Sequence, residues 1–285
     1  MRQYLVDCGS VRLSVRDHPG GSPPILALHG LASNARWWDL VAERLSPGLR
    51  VVAPDLRGHG LSDKPESGYS LAEVVADLRG LCDAAGLDRV IVAGHSWGAS
   101  VALWFAASLP ERTAGCVCVE GGVGSLRDHL PTWREAEGRL RPPPASGLAE
   151  ATVRAWAANG PLAEGGGPEA AGDILLGNFE PDGNGTLRPC LRLDHHMEIV
   201  RGLYELDALD LLTRVLCPVL LIPARGGPWP VEMKARAIQR AQHALGQSVR
   251  ATWVDGGHDL PVQRPAEVAE AISGFAGALA GGRRA

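Results

Sequence analysis

The segment that most narrows what this chain can fold into is Gly94-His95-Ser96-Trp97-Gly98, set between the apolar run Val90-Ile91-Val92-Ala93 and a helix-prone run over residues 99–109. A G-x-S-x-G pentapeptide alone is common by chance. Here a buried strand before it and a buried helix after it supply the strand–turn–helix setting in which such a serine becomes a nucleophile rather than part of an ordinary glycine turn. Glycines at 94 and 98 are needed because the turn is too tight for a β-carbon to pass the neighbouring strand and helix. The serine hydroxyl is then exposed on a strained backbone, at the positive end of a helix.

The other apolar runs agree with this setting. Short β-rich stretches at residues 25–29, 50–54, 90–94, 115–119, 219–223 and 251–254 alternate with helix-period stretches, the pattern of a mostly parallel sheet covered on both faces. Ser70-Leu71-Ala72-Glu73 is a capping box. Val74, Val75, Leu78, Leu81 and Cys82 follow it at helical spacing, and Gly86 stands where the helix should end. At the front, Tyr4 to Val6 and Val11 to Val15 flank Asp7-Cys8-Gly9-Ser10 as a hairpin does, so the sheet is expected to be mixed at that edge.

Between residues 121 and 206 the alternation fails. This stretch holds 14 glycines and 8 prolines in 86 residues, 26%, against 35 in the other 199, 18%. The plainest breaks are Arg141-Pro142-Pro143-Pro144 and Gly165-Gly166-Gly167-Pro168, with helical pieces around 126–140, 148–158, 169–179 and 191–206. It reads as a loose helical cap (121–206) inserted into a single α/β core formed by 1–120 and 207–285. With 12 acidic and 8 basic side chains, the insert carries the whole formal charge of −4, the mark of a solvated helical surface.

That charge offers no basic footprint, so no nucleic-acid partner is expected. The first residues lack the apolar core of a signal peptide, and the long charge-free run over 90–110 is interrupted by the serine turn, so no membrane segment is expected either. Six cysteines without a C-x-x-C pattern imply neither zinc nor a disulfide framework and point to a reducing cytoplasm. Cys116 and Cys118 read as core residues of one strand face. The oligomeric state is left open.

Two further segments belong with Ser96. In Leu28-His29-Gly30-Leu31-Ala32-Ser33, a turn after a strand can aim the backbone N–H of Leu31 at the space above Ser96, where the N–H of Trp97 also aims. Two such donors make an oxyanion hole, with His29 itself a turn residue. Near the other end, Thr252-Trp253-Val254-Asp255-Gly256-Gly257-His258 has the form of a last strand running into a loop histidine, which places His258 as general base in the chain order Ser…His. His195 and His196 lack a third ligand at suitable spacing and read as cap-helix residues facing solvent or pocket, not as a metal site.

These signals, together with Asp55-Leu56-Arg57-Gly58-His59-Gly60-Leu61-Ser62-Asp63, resemble the α/β-hydrolase superfamily over nearly the whole chain. The resemblance implies a doubly wound, mostly parallel eight-stranded sheet with an inserted cap, and a bracing role for Arg57 and His59. One departure is informative. Most members carry the triad acid just past the seventh strand, in a segment resembling G-x-x-D-x-x-x-P, whereas here Leu221 to Pro230 contains no carboxylate. Either the triad is broken or the acid comes from elsewhere. Some members, including certain haloalkane dehalogenases, place it at the end of the sixth strand, where this chain has Glu120. A buried carboxylate there is costly unless paired, and His258 is the expected partner; the alternative is a hinge glutamate open to water.

The expected chemistry is therefore acyl transfer: His258 deprotonates Ser96, Glu120 orients the imidazole, Leu31 and Trp97 hold the oxyanion, and water releases the acyl group. In the resembling dehalogenases and epoxide hydrolases the nucleophile is an aspartate; a serine hydroxyl prefers acyl carbon. No metal or organic cofactor is implied, and the partner is a small-molecule acyl substrate. Ester or lactone hydrolysis, thioester hydrolysis or cyclisation, and carbon–carbon hydrolysis of a diketone share these residues, and a binding protein without turnover would keep them too. Trp37, Trp38, Trp97, Trp133, Trp156 and Trp229 are the candidate pocket walls.

Overall fold

The computed structural model describes residues 1–45 and 47–281. Its main sheet has eight strands, β1 (Arg2–Asp7), β2 (Arg12–His18), β3 (Ile25–Leu28), β4 (Val51–Pro54), β5 (Val90–His95), β6 (Thr113–Val119), β7 (Val219–Ile222) and β8 (Val249–Ala251), in the spatial order β1-β2-β4-β3-β5-β6-β7-β8. β2 runs antiparallel to both its neighbours and every other pairing is parallel. This is the mostly parallel sheet with a mixed edge that the apolar runs and the front hairpin predict, in the doubly wound, eight-stranded form that the resemblance implies.

The helices are α1 (Asp39–Leu45), α2 (Leu71–Ala84), α3 (Trp97–Ser108), α4 (Trp133–Leu140), α5 (Glu150–Asn159), α6 (Ala163–Leu176), α7 (Leu193–Glu205), α8 (Ala208–Thr213), α9 (Val231–Leu245), α10 (Leu260–Gln263) and α11 (Pro265–Gly281). Side chains of the central strands divide between two cores with the period of two that pleating imposes. Leu26, Leu28, Val90 and Val92 pack with side chains of α2, α3, α8 and α9, while Ile25, Ala27, Ile91 and Ala93 pack with those of α1 and α11. Covering both faces is what allows these strands to be apolar throughout. The Ser70–Glu73 capping box forms in both directions, and Gly86 takes the left-handed backbone (φ +64°) that follows a helix end. The last strand ends earlier than its apolar run, because Val254 keeps only an isolated bridge to Ala224.

The stretch over 121–206 lies between β6 and α8 and contains α4 to α7 with a two-stranded ribbon, Phe179–Pro181 and Leu187–Pro189. Its glycine-proline run interrupts the helical backbone at Gly167 (φ 82°), so α6 is two helical pieces meeting at a kink, the break that the sequence predicts. A β-carbon on Gly165 would lie 1.7 Å from the Val262 carbonyl oxygen, so the first piece sits directly on α10. The insert is anchored to the core at several points. Asn34 Nδ2 donates to the Ile174 carbonyl (2.8 Å) and to Asn178 Oδ1 (2.6 Å). His195 and His196 are buried, facing neither solvent nor pocket. His195 stacks on Tyr69 at 4.2 Å and reaches the Glu66 carbonyl, while His196 reaches that of Leu140. Among the described residues no helix is long and apolar enough to cross a membrane.

The loop after β4 is fixed by a buried ion pair. Arg57 Nε and Nη2 each lie 2.6 Å from a carboxylate oxygen of Asp77 on α2, and the side chains are 6% and 3% exposed. Removing one partner strands a buried charge, which costs about 3–5 kcal/mol. Asp77→Ala is therefore expected to lose that much unfolding free energy in urea titration; a loss below about 1 kcal/mol would show that the pair does not hold the loop.

Candidate active site

Ser96 and Glu120 directly follow β5 and β6, and the segments carrying Leu31 and His258 follow β3 and β8, so these four lie beyond the carboxyl ends of strands, the edge at which open α/β sheets bind ligands. β5 leads into Ser96, whose backbone is held at φ 54°, ψ −118°. The packing around the turn shows why. A β-carbon on Gly94 would lie 1.9 Å from the Gly98 carbonyl oxygen, and one on Gly98 would lie 2.5 Å from the carbonyl oxygens of Leu28 and His29. Among the described residues, the non-glycine positions with positive φ are Ala32, Ser96 and Glu120. They follow the adjacent strands β3, β5 and β6, so backbone strain of about 1–3 kcal/mol each is collected at one place.

The side chains of these segments converge. His258 Nε2 lies 3.0 Å from Ser96 Oγ, and its Nδ1 lies 3.4 Å from Glu120 Oε2. The Glu120 side chain is 2% exposed, so it is not a solvent-facing hinge residue. The Ala224 N–H donates to its Oε1 at 2.6 Å. Lys234 of α9 places its Nζ 2.8 and 2.9 Å from the two oxygens of Glu120 and 2.9 Å from the carbonyls of Ala224 and Gly226. Lys234 belongs to no motif. Its only mark in the sequence is that it is one of two lysines, set just after the stretch that lacks the expected carboxylate.

Three buried histidines brace this constellation in neutral form. His95 donates from Nε2 to the His258 carbonyl at 2.8 Å, tying the serine turn to the histidine loop. His29 donates from Nδ1 to the Gly30 carbonyl and accepts the Leu56 N–H on Nε2, and His59 donates to the Arg57 carbonyl and accepts the Ala32 N–H. Their rings lie 4.9 Å apart beneath the Gly30–Ala32 turn. Burial, ahead of every other cause, pushes His29 down to about 4 and His59 and His95 down to about 3. The turn thus braced runs beside the serine, since a β-carbon on Gly30 would lie 3.3 Å from Ser96 Cβ. Trp97 opens α3, so its N–H has no acceptor within the helix.

A cavity of about 160 Å³ opens onto Ser96, with Trp97, Val123, Leu206, Trp229 and Met233 among its walls. Of the other candidate tryptophans, Trp37 and Trp38 do not reach it. The turn begun by Asn34 folds them into the core beneath α1 and α11, where Trp37 stacks 6.3 Å from His95. Trp133 packs edge-on to Tyr204 at 5.7 Å, in a small core within the insert, and Trp156 is exposed. His95, His258 and Asp259 form the one grouping with metal-ligand spacing among the described residues. Both nitrogens of His258 already face Ser96 and Glu120, so a metal there would displace that array.

A family model described as the alpha/beta hydrolase fold matches residues 23–150. The chain is 37% identical over 115 residues to a 2-(acetamidomethylene)succinate hydrolase of Mesorhizobium japonicum, a match covering 40% of this chain and 41% of that protein. The solved structure of an E-2-(acetamidomethylene)succinate hydrolase superposes with a TM-score of 0.81 at 26% identity, covering 96% of this chain and 98% of that one. A thioesterase domain from the curacin biosynthetic pathway superposes with a TM-score of 0.76 at 21% identity over 96% and 99%. The matched segments span 38–41% of the length of the first curated relatives.

The neutral histidines have a consequence for stability. Their folded-state proton affinities lie below the ordinary value near 6.5, so from about pH 6.5 down to about 4 the unfolded chain binds protons that the folded chain refuses. Stability should fall as pH falls through that window, by up to about 1.4 kcal/mol per pH unit for each histidine. Urea unfolding at pH 7 and pH 5 is expected to differ by at least about 2 kcal/mol, with a smaller difference in His59→Gln. A level profile would contradict neutral buried rings.

Proposed function

The chain belongs to the α/β-hydrolase superfamily, and from that premise we propose that it is a serine hydrolase cleaving an acyl bond, a carboxylic ester or lactone, of a small to medium hydrophobic substrate through an acyl-enzyme on Ser96. The observation that carries this reading is the 3.0 Å approach of His258 Nε2 to Ser96 Oγ with the Glu120 carboxylate behind Nδ1, the nucleophile–base–orienter arrangement of acyl transfer. His258 takes the Ser96 proton as Oγ attacks the acyl carbon. The N–H groups of Leu31 and Trp97 receive the developing oxyanion, and the imidazolium returns the proton to the leaving alkoxide. Water, deprotonated by the same imidazole, then releases the acid.

The cavity supports the substrate class. Its volume of about 160 Å³ is close to the size that accommodates a benzene ring, and most of its walls are apolar. Lys234, the cation among its lining residues, is committed to Glu120. A succinate, the substrate class in the name of the Mesorhizobium relative, would find no free cation among the described lining residues. The acyl group is therefore short or ring-sized and uncharged.

A panel of p-nitrophenyl esters and matched thioesters, with Ser96→Ala as the blank, tests this. Butyryl, hexanoyl and benzoyl esters are expected to exceed dodecanoyl and succinyl esters in kcat/KM by at least about tenfold, since one or two misplaced methylenes are worth that much. A fluorophosphonate should add once to the native protein and not to Ser96→Ala. Glu120→Ala should lower kcat by about 10²- to 10⁴-fold with the fold retained by circular dichroism. Turnover that survives in Ser96→Ala, or Ser96 inert toward every acyl compound, would overturn the hydrolase reading in favour of another nucleophile or of a binding protein.

A further inference from the structure

We propose that Lys234 is a positioning residue of this same site, one that keeps Glu120 ionised inside the protein and, by its positive charge, keeps the Glu120–His258 pair free of an extra proton. The inference rests on the hydrolase reading above for its catalytic meaning and on geometry for its physical content. A carboxylate that is 2% exposed loses several kcal/mol of solvation, more than the single Ala224 N–H and one long contact to an imidazole restore. Lys234, itself 10% exposed, faces both carboxylate oxygens and two backbone carbonyls, which exceeds the three protons an ammonium has to donate. It is fully committed and has nothing left for a substrate.

Its position joins three loops. Glu120 closes β6, Ala224 and Gly226 follow β7, and the Gly226 N–H bonds the carbonyl of Gly256 in the loop that carries His258 (2.9 Å). One ammonium thus registers the acid, the bare segment after β7 and the histidine loop. It also sets the charge that the imidazole meets. With Lys234 present, His258 faces a neutral ion pair and a shared oxygen, Oε2, at 2.9 Å from Nζ and 3.4 Å from Nδ1. Without it, His258 faces a buried carboxylate that keeps only the Ala224 N–H and no neutralising cation, and the pair holds a proton to higher pH. A protonated pair has no lone pair for Ser96, so the acid limb of reactivity must rise.

The other charged groups nearby are few. Asp259 follows His258, and burial raises its carboxyl while the nearby imidazole opposes the rise. Arg225 and Asp255 pair at the surface. His95 is held down at about 3 by burial and does not titrate in the working range. None of these replaces the lysine charge.

The test follows the His258 ring by proton NMR across pH 4–10 in the full chain and, in parallel, the rate of fluorophosphonate addition to Ser96, in wild type, Lys234→Met and Lys234→Arg. In Lys234→Met the His258 midpoint and the acid limb of labelling are expected to move up by at least one pH unit. Labelling should be about tenfold slower at acid pH and converge on wild type at alkaline pH, while Lys234→Arg stays near wild type. A limb that does not move, or an equal slowing at every pH, overturns the proposal. Should Lys234→Met fail to fold, Glu120→Gln and Glu120→Gln/Lys234→Met ask the same question, and the His258 midpoint must be higher in the double variant; coincident midpoints overturn it. Absence of labelling in wild type would defeat the hydrolase reading alone, because the NMR midpoint still decides the role of the lysine.

Discussion

The structure depends on how closely β5 and α3 are allowed to approach at Gly94 and Gly98. Any β-carbon at either position would collide with backbone that no rotamer change can move, so the chain must turn within the width of one residue, and that residue is Ser96. A left-handed serine is unfavourable by itself. It persists because β3, β5 and β6 are fixed as neighbours by continuous parallel pairing and apolar burial on both faces. Ala32 and Glu120, the other two strained positions, end the strands on either side. The strain is thus a boundary property: where the regular sheet stops, it hands three side-chain and backbone groups to the same small volume.

A second constraint follows from packing polar groups so close to the sheet. His29, His59 and His95 are surrounded by protein and lose their charge to desolvation before any other influence acts. Neutral imidazole has one donor and one acceptor; His29 and His59 use both and His95 its donor to tie loop to loop: His59 to Ala32, His29 to Leu56, His95 to the carbonyl of His258. Two charges kept below the surface are matched by an opposite one. Arg57 is held by Asp77 and Glu120 by Lys234, each at under 3 Å. Charge and its compensation therefore come from different elements, and the loops between them gain a fixed register.

Much of this was legible in the residues, and for a physical reason. The serine turn, the Ser70 capping box and the period of the strands are local rules, each satisfied by neighbours in sequence. Glu120 was legible by a longer route, through the missing carboxylate between Leu221 and Pro230. What stayed hidden depends on tertiary distance. Lys234 has no local partner; its approach to Glu120 exists only because the first turn of α9 lies beside the end of β6. Trp97 and Trp229 do line the cavity, but Trp37, Trp38, Trp133 and Trp156 do not, because an indole near a loop can face a cavity or the core with equal local propensity, and Asn34 turns Trp37 and Trp38 inward by a cap that sequence pattern does not aim. The glycine run in α6 does break the helix, at Gly167, as its propensity signals; what the sequence did not show is that Gly165 also allows close contact with Val262.

The placement of the Glu120 carboxylate also bears on how the insert is rooted. Glu120 is the last residue before the insert, so the base of the insert and the carboxylate beside His258 are the same piece of chain. Gly121 packs so that a β-carbon would lie 2.5 Å from the Ser96 carbonyl oxygen, and a β-carbon on Gly122 would lie 2.9 Å from Cys118 Sγ. The insert thus departs from the sheet already pressed against the serine turn. Its far parts are fixed separately, by Asn34 on α6 and by Tyr69 on α7. Changes in the walls between those anchors, such as Val123, Leu206 or Trp229, alter the shape of the cavity without touching the residues that fix Ser96, His258 and Glu120. Had the acid stood after β7, the insert root would carry no polar duty; here it does, and the buried lysine is what makes that position electrostatically tolerable.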